Sequence, residues 1–363
     1  MEKYIGKYEK KVEKKSGKKK TGLIILLAVV AVLLIAVVVV VIYYNSVLNQ
    51  INRFDETVPT MSDEELESFL QEQETGGVDL DEDASIGTIP TELDVLTEDE
   101  ETIGGEILNI LLIGQDTRNA NQRGLSDSMI LVSVNKEEKT LVMTSFMRDL
   151  YIDIPGDRGG YYRQRINTAY AVGGMPKLNA TILHNFGVEI DNNVEVDFSG
   201  FKTIVDAMGG VDIELTKTEA WHMNKNTGWG LKEGLNHLDG EQALAYSRIR
   251  KIDSDFYRTE RQRTVLNKLF EKVRDMSVTQ LLGLAKEFLP LITTDMSNSQ
   301  ITEYIMELAP LLPQLKITTQ RIPIDGSWWG ANAGTEEQPM YVIYCNLTKN
   351  RDFLRETIGV LDE

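Results

Sequence analysis

Residues 107–146 read ILNILLIGQDTRNANQRGLSDSMILVSVNKEEKTLVMTSF and contain three apolar runs separated by polar segments. The first run, 107–114, ends in a turn and is typical of a strand that is buried on both faces. Residues 129–135 and 140–146 predict two more strands, joined by the polar turn 136–139. A folded body therefore begins with this stretch.

Helical and strand patterns alternate downstream of it. The helical pattern over 166–186 is interrupted at Gly173 and Gly174, and Pro176 suits the start of a second helix. We predict further helices over 199–208, 239–246, 257–274, 278–289, 298–311 and 349–361, the second of them capped by Asp239. We predict further strands over 193–197, 211–215, 316–322 and 341–344. Alternating strands and helices around buried apolar runs indicate a layered α/β body.

The N-terminus predicts a membrane anchor. Residues 1–20 hold nine lysines and three glutamates, whereas residues 22–43 contain no charged side chain. An uncharged helix of this length measures about 33 Å, enough to cross the hydrocarbon core, and it exceeds the apolar region of a cleavable signal peptide. Because lysines precede the run and are nearly absent just after it, we expect a basic cytoplasmic tail (1–21) and a single transmembrane helix (22–45), with the rest of the chain outside.

The segment after the anchor is acidic. Residues 54–105 contain eighteen Asp or Glu and no Lys or Arg, too much charge to fold alone. We interpret 46–105 as an extended extracellular linker and 106–363 as the folded extracellular domain. The chain has one cysteine, Cys345, and its three histidines lack the spacing of a zinc site. The net charge of −18 and the absence of a helix-turn-helix pattern argue against nucleic-acid binding.

Arginines are concentrated in two windows of this acidic chain. Nine of the sixteen fall within residues 148–165 and 248–263. Guanidinium groups bind phosphate oxygens in bidentate fashion and keep their charge, so the clustering indicates an oxyanion ligand with several phosphates. The alternative is ordinary ion pairing with the neighbouring acids Asp149, Asp253, Asp255 and Glu260.

Two acids lie at the ends of predicted strands. Asp116 comes shortly after the strand 107–114, and Asp127 comes shortly before the strand 129–135. Carboxylates at strand ends commonly face the ligand crevice of α/β sheets. Two of them can hold one hard divalent cation together with substrate phosphate. Taken singly, each is equally well explained as a turn residue.

The predicted start of the helix 166–186 carries further polar residues. Arg165 and Asn167 enter the helix 166–186, where free N–H groups can bind an anion; alternatively, Asn167 is a plain N-cap.

In the helix 257–274, one face begins polar and becomes apolar, with Arg258 and Gln262 followed by Val265 and Leu269. This face suits an amphiphile with a phosphorylated head and an apolar tail. It equally suits a helix with a polar start and a core-facing body.

The order of these motifs resembles the LytR-CpsA-Psr (LCP) family of bacterial cell-envelope proteins. The resemblance rests on NILLIGQDTR, SDSMILVSVN, SFMRDLYIDIP, INTAYAVGG, GLNHLDGEQALAYSRIR and DFYRTERQR, and it covers residues 107–275. A looser likeness begins at TTQRIPIDG. The resemblance implies that 106–363 is an LCP-type catalytic domain with a layered α/β/α fold and a central mixed sheet, preceded by the transmembrane helix.

The resemblance also implies a function. Family members are phosphotransferases that move glycopolymers, such as teichoic acids or capsular polysaccharide, from a polyprenyl-pyrophosphate carrier to peptidoglycan. By motif, the ligands of a magnesium (or manganese) ion are Asp116 and Asp127. By motif, the pyrophosphate-binding residues are Arg148, Arg165, Arg248, Arg250, Arg258 and Gln262. The implied catalytic residues are Asp127, Arg148, Asp255 and Arg258.

The implied reaction needs a base for the acceptor hydroxyl, and a carboxylate near the metal, Asp127 or Asp255, is the candidate. The polyprenyl chain is expected in an apolar tunnel between sheet and helices. The implied location is the outer face of the cell membrane of a Gram-positive-type bacterium. The alternatives are a polyprenyl-pyrophosphate pyrophosphatase, which would use the same residues, a non-catalytic envelope regulator, and a glycopolymer-binding scaffold.

Overall fold

The computed structural model describes residues 43–57, 102–115, 123–250, 252–274, 276, 280, 287–334 and 340–359. Residues up to Gln50 form a unit of their own, in which 43–48 are helical, and the second unit begins at Ile51. Within these ranges, no helix combines the length and apolar character that a bilayer crossing requires. The predicted span 22–45 lies outside the described residues as far as residue 42, and so does the predicted linker between 58 and 101.

The second unit contains thirteen described strands and seven described α-helices. The strands are β1 (Asn52–Arg53), β2 (Ile107–Gln115), β3 (Ser126–Asn135), β4 (Thr140–Phe146), β5 (Tyr151–Pro155), β6 (Tyr161–Arg165), β7 (Asn192–Asp197), β8 (Val211–Leu215), β9 (Gly234–Leu238), β10 (Ile292–Thr294), β11 (Lys316–Ile322), β12 (Trp328–Asn332) and β13 (Tyr341–Cys345). The helices are α1 (Ile166–Phe186), α2 (Phe198–Ala207), α3 (Lys217–Asn224), α4 (Gly240–Ser247), α5 (Asp255–Arg274), α6 (Asn298–Leu308) and α7 (Leu347–Ile358).

A seven-stranded mixed sheet forms the centre, in the order β1-β10-β7-β2-β3-β4-β11. Strands β2, β3 and β4 run antiparallel, with Leu111 opposite Leu131 and Leu131 opposite Thr144. Strands β7 and β11 join them in parallel, on β2 and β4 respectively. The three apolar runs of residues 107–146 therefore form the middle of the sheet, and the predicted central mixed sheet is confirmed.

Helices cover both faces of this sheet. On one face, Leu111 and Leu131 belong to a buried cluster with Ile182 of α1 and Leu354 of α7. On the other face, Leu108 and Ile130 pack with Leu266 of α5 and Leu308 of α6. Because successive strand residues point to opposite faces, such near-continuous apolar runs are required when both faces are buried. The α/β/α layering is confirmed.

A further apolar cluster anchors α5, the helix that carries several predicted site residues. Val265 of α5 packs with Val205 at the end of α2, Val211 of β8 and Ala243 of α4. Asp239 caps α4 by accepting a hydrogen bond from the backbone N–H of Gln242, as predicted. These contacts hold α5 against α2, α4 and β8.

The predicted helices and strands agree with the structure to within a few residues at each end where the structure describes them, while 278–289 is mostly outside the described residues. The helix over Ile166–Phe186 is interrupted at Gly174, whose backbone (φ 61°, ψ −156°) is non-helical, as predicted. The hairpins β5–β6 and β8–β9 were not predicted. Segments such as YYRQR and GLNHL are short and carry no regular apolar alternation, so they give no strand signal.

Candidate functional site

Five elements bring the predicted charged residues together at one end of the central sheet. Asp127 lies at the start of β3, Arg148 directly follows β4, and Arg165 ends β6. Arg250 lies in the connection between α4 and α5, and Asp255 and Arg258 form the first turn of α5. Coulombic interactions link Arg148, Arg250 and Arg258 to both Asp127 and Asp255. The predicted residue Asp116 lies outside the described residues.

Asp127 is held by two arginines. Its Oδ1 accepts a hydrogen bond from Nη1 of Arg148 at 2.9 Å, and Nη2 of Arg250 lies 3.6 Å from the same oxygen. Burial raises the pKa of Asp127, but neighbouring guanidiniums, that of Arg148 foremost, outweigh burial and bring the pKa below its usual value. Asp127 is therefore a carboxylate that does not readily take up a proton.

Asp149 is a site residue that the sequence did not single out. Its buried carboxylate lies 3.4 Å from Nε of Arg148 and 3.6 Å from Nε of Arg165. Burial raises its pKa, while Arg148 and Arg165 lower it further than burial raises it. In the sequence an acid that follows an arginine indicates only a local ion pair. In the structure it positions two arginines from different strands.

Arg258 is the most deeply buried charge of the site, with 1% of its surface exposed. Its Nη2 donates a hydrogen bond to Oδ2 of Asp255 at 2.7 Å. Its Nε and Nη1 have no hydrogen-bond partner among the described residues. Burial lowers the pKa of Arg258 to about 10, which leaves the side chain charged at neutral pH. A buried cation with two unused donors is costly unless an anion binds beside it.

The charges of this group do not cancel. Among the described residues, four guanidiniums (Arg148, Arg165, Arg250 and Arg258) face three carboxylates (Asp127, Asp149 and Asp255), an excess of one positive charge that does not include Asp116. Asp149 pairs with Arg148 and Arg165, and Asp255 pairs with Arg258, so these carboxylates also position the arginines. The group is therefore suited to an anion that presents several oxygens, such as a diphosphate.

Ion pairing, the alternative explanation for the clustered arginines, is correct for some of them. Arg261 donates hydrogen bonds to Glu219 at 2.7 Å and to Asp253, which neutralise it within the core. Arg163 pairs with Asp153 at 2.9 Å. Spacing in the sequence did not separate these structural arginines from those of the site.

An apolar cavity of about 210 Å³ lies between the sheet and three helices. It is lined by strand residues such as Leu112, Ile130 and Val196 and by helix residues such as Phe201, Leu244 and Leu266. Ser128, Asp197, Ser247, Arg248 and Gln262 supply its polar lining. Ser128 is next to Asp127 in the chain, and Gln262 follows Arg258 by one helical turn, so these polar residues lead towards the charged group.

The predicted face of α5 is confirmed in part. Gln262 and Leu269 line the cavity, and Arg258 lies one turn before them. Val265 instead packs in the neighbouring core, and Leu266, which was not predicted, lines the cavity in its place. One edge of this face therefore lines the cavity and the other packs in the core, while the amphiphile site stays a prediction.

Asn167 does not cap the first helix. Arg165 occupies the N-cap position, and Asn167 is buried as the second helical residue, with its Oδ1 lacking a hydrogen-bond partner among the described residues. The plain N-cap explanation of Asn167 is wrong because the hairpin β5–β6 runs directly into the helix. Arg165 also donates a hydrogen bond from Nη2 to the backbone oxygen of Tyr341 at 2.9 Å, which fixes its direction.

The described residues contain no group of three or more His, Cys, Asp or Glu side chains that could hold a metal by themselves. Asp127 supplies one anionic oxygen ligand, kept ionised by its arginines. Mg²⁺ is commonly bound by one or two carboxylates together with substrate phosphates rather than by a complete protein cage. The donors present therefore fit a magnesium ion that is shared with a phosphorylated substrate.

Comparisons with known proteins agree with this geometry. The model of the LytR_cpsA_psr family matches residues 88–342. Over 174 residues, the chain is 36% identical to polyisoprenyl-teichoic acid–peptidoglycan teichoic acid transferase TagV of Bacillus subtilis, covering 47% of this chain and 44% of that protein. It is 32% identical to regulatory protein MsrR of Staphylococcus aureus over 255 residues, covering 69% of this chain and 75% of that protein. The match spans about half the length of the TagV and TagT proteins of B. subtilis.

Solved structures show the same fold. The crystal structure of B. subtilis TagV superposes with a TM-score of 0.56 at 28% identity, covering 70% of this chain and 98% of that chain. A structure of TagT with bound octaprenyl pyrophosphate lipid superposes with a TM-score of 0.51 at 26% identity, covering 72% of this chain and 95% of that chain.

Proposed function

Because the chain belongs to the LytR_cpsA_psr family, we propose that it is a phosphotransferase. It transfers an anionic glycopolymer, a teichoic acid or a capsular or secondary wall polysaccharide, from a polyprenyl-pyrophosphate carrier to peptidoglycan. The observation that carries the proposal is Arg258, a buried guanidinium with two donors that have no partner among the described residues, one helical turn before Gln262 of the apolar cavity. The charged group suits the diphosphate, and the cavity suits the polyprenyl chain. The relatives TagV and TagT are named as transferases of teichoic acid to peptidoglycan.

In the proposed reaction, a hydroxyl group of the acceptor displaces polyprenyl phosphate from the donor, and negative charge develops on the phosphate oxygens. The acceptor hydroxyl attacks the phosphorus that carries the glycopolymer, so that a new O–P bond forms. The bond from this phosphorus to the bridging oxygen breaks, and polyprenyl phosphate leaves. Arg148, Arg250 and Arg258 lie where they can bind the non-bridging oxygens and the leaving phosphate. Preorganised positive charge of this kind supplies most of the rate in phosphoryl transfer.

The proton of the acceptor hydroxyl needs a carboxylate to receive it. Asp127 is a poor base because its arginines hold its pKa below the usual value. We therefore assign the role of base to Asp255, which lies in the first turn of α5 and is fixed by its hydrogen bond to Arg258. Asp127 then stabilises the positions of Arg148 and Arg250.

A magnesium or manganese ion completes the proposed site, held by Asp127 and Asp116. When bound, the ion supplies positive charge that neutralises the diphosphate and its leaving group. Asp127 would contribute an ionised carboxylate oxygen to it, and substrate phosphate would be a further ligand. Removal of divalent metal is expected to abolish transfer.

The proposed protein works at the outer face of the cell membrane. We assign residues 22–45 to its single transmembrane helix and residues 1–21 to its cytoplasmic tail. The linker predicted over 46–105 is shorter than expected, because β1 pairs with β10 in the central sheet and Ile103 lies in the core. The uncharged run after nine lysines supports this orientation. Its partners are then the membrane, a lipid-linked glycopolymer and peptidoglycan, and no nucleic acid.

Product analysis tests the proposal. The full chain, in vesicles with magnesium, is given a lipid-pyrophosphate glycopolymer with and without peptidoglycan. Covalent attachment of the polymer to peptidoglycan with release of polyprenyl phosphate is the expected result. Release of free glycopolymer phosphate regardless of acceptor would establish the pyrophosphatase alternative. An intact donor under all conditions would support a regulator or a binding scaffold.

A side chain that fills the apolar cavity distinguishes binding of the polyprenyl chain from binding of the diphosphate. In Leu266→Trp, the larger side chain occupies the cavity, so the Kd for octaprenyl pyrophosphate rises about tenfold, the scale of overpacking in a buried site. The Kd for inorganic pyrophosphate stays unchanged because Leu266 does not contact the charged group. Titration of the full chain with both ligands provides the measurement.

Lys268→Trp is the matched control, because Lys268 lies on the same helix, pairs with Glu271 and does not line the cavity. It should leave both dissociation constants unchanged. If folded Leu266→Trp protein binds octaprenyl pyrophosphate as tightly as wild type, the polyprenyl chain binds elsewhere.

A further inference from the structure

A second cavity, of about 640 Å³, lies beside another face of α5. Its lining is mostly polar and aromatic, in contrast to the apolar cavity. It is lined by Phe256, Tyr257, Glu260, Arg263, Arg321 and Trp328, among others. A volume of this size accommodates a ligand of a few sugar rings. None of these residues takes part in the site described above.

Arg263 is the residue that makes this cavity unusual. It is 8% exposed, and its Nε and Nη1 have no hydrogen-bond partner among the described residues. Burial lowers its pKa to about 10, Glu260 raises it, and the neighbouring cation Arg321 lowers it again. A buried guanidinium that faces a second guanidinium, with two donors unused, needs an anion. By contrast, Arg261, two residues earlier on the same helix, has a structural role, because Glu219 and Asp253 neutralise its guanidinium.

The rest of the lining suits a carbohydrate. The guanidinium of Arg321 lies 4.5 Å from the ring centre of Phe256, and the rings of Phe256 and Trp328 are 4.5 Å apart. Arg321 also pairs with Asp325, an exposed carboxylate that a ligand can displace. Aromatic faces bind the apolar faces of sugar rings, and guanidiniums bind carboxylates in bidentate fashion. The cavity therefore fits a glycan that bears an acidic group.

The second cavity lies on a face of α5 next to the face that carries Asp255, the proposed base. At roughly 100° per residue, Gln262 and Leu266 lie within about 20° of Asp255 around the helix. Phe256 and Arg263 lie about 80–100° away, on the face that borders the second cavity. The second cavity thus borders the first turn of α5 through Phe256 and Tyr257, and the apolar cavity borders the following turns through Gln262 and Leu266. In-line displacement requires the nucleophile to approach from the side away from the leaving polyprenyl phosphate.

We propose that the second cavity binds the acceptor, a peptidoglycan strand, with a carboxylate of the strand on Arg263 and Arg321 and a sugar ring against Trp328. This inference rests on the proposed transfer reaction. In it, the acceptor hydroxyl reaches the diphosphate across the first turn of α5, and its proton passes to Asp255 as the new O–P bond forms. The donor polymer is the other ligand that carries acidic groups, because its repeating units are joined by phosphodiesters.

Binding measurements on the full chain test this assignment with three probes. These are a tetrasaccharide muropeptide, chitotetraose as its uncharged analogue, and a glycerol-phosphate oligomer. Wild type is expected to bind the muropeptide more tightly than the other two. In Arg263→Gln and in Arg321→Gln, the Kd for the muropeptide rises about tenfold or more, the scale of a lost charge-assisted hydrogen bond. The Kd for octaprenyl pyrophosphate is unchanged in both.

Arg158→Gln, which removes one positive charge from an exposed turn, is the matched control and leaves all affinities unchanged. Arg321→Gln decides the question by itself if Arg263→Gln fails to fold, because Arg321 is only partly buried. Unchanged muropeptide binding in the folded variants overturns the inference, and so does a loss confined to the glycerol-phosphate oligomer, which would assign the cavity to the donor. Failure of the proposed function is distinct, since it shows as a wild-type protein that attaches no polymer to peptidoglycan.

Discussion

Replacing Arg258 with methionine lowers kcat/KM for glycopolymer transfer by about a hundredfold or more, the loss expected when one preorganised donor to a transition state is removed. Arg258 is the buried cation of the site, and two of its nitrogens have no partner among the described residues. Methionine has a similar length and is apolar, so the helix α5 keeps its packing. Initial rates at varied donor concentration and the Kd for octaprenyl pyrophosphate give the measurement.

Arg261 provides the matched control for this prediction, because it is a buried arginine of the same helix. Glu219 and Asp253 neutralise it, so Arg261→Met removes the cation that pairs with the buried Glu219 and the half-buried Asp253. The free energy of unfolding is expected to fall by about 3–5 kcal/mol, while the folded fraction keeps its transfer rate. The opposite pattern in Arg258→Met, a collapse of thermal stability with normal transfer by the folded fraction, would show that Arg258 is only an ion-pair partner of Asp255.

Asp127→Asn is expected to reduce transfer by about a hundredfold or more as well. The substitution keeps the size of the side chain and removes its charge. Arg148 and Arg250 then lose the carboxylate that positions them, and the proposed metal loses an anionic ligand. Transfer rates with magnesium test the first effect. Titration with Mn²⁺ followed by electron paramagnetic resonance tests the second and does not depend on turnover.

Asp153→Asn is the control for Asp127→Asn. Asp153 forms a hydrogen bond with Arg163 at 2.9 Å, with a side-chain exposure of 19% against 21% for Asp127. The substitution Asp153→Asn therefore removes an equivalent ion pair outside the site, and we expect transfer and Mn²⁺ binding to stay unchanged. Near-normal transfer and Mn²⁺ binding in Asp127→Asn would remove the metal role from this residue.

The arginines of the two windows fall into separate groups according to the surroundings of their side chains. Arg148, Arg165, Arg250 and Arg258 form the charged group, Arg248 lines the apolar cavity, and Arg261 is neutralised in the core. Arg263 belongs to the second cavity. A helix turns by about 100° per residue, so neighbouring arginines of α5 point to different surroundings. Clustering in the chain therefore indicated anion binding but did not separate these roles.

The sequence by itself determined the elements and the residues that carry charge. Apolar runs over Ile107–Gly114 and Thr140–Phe146 predicted central strands, and Asp239 predicted a helix cap, because these signals depend only on neighbours in the chain. Motif order predicted Asp127, Arg148, Arg250, Asp255 and Arg258 as one site, and the structure places them together.

Only the tertiary structure decided which partner each charge has. Asp149 became a positioning residue because β6 brings Arg165 beside it, and Leu266 rather than Val265 faces the apolar cavity because of how α5 rests on the sheet. The unsatisfied donors of Arg258 and Arg263 are likewise visible only in three dimensions. The physical reason is that burial and hydrogen bonding are set by side chains from distant parts of the chain, whereas periodicity and capping are local.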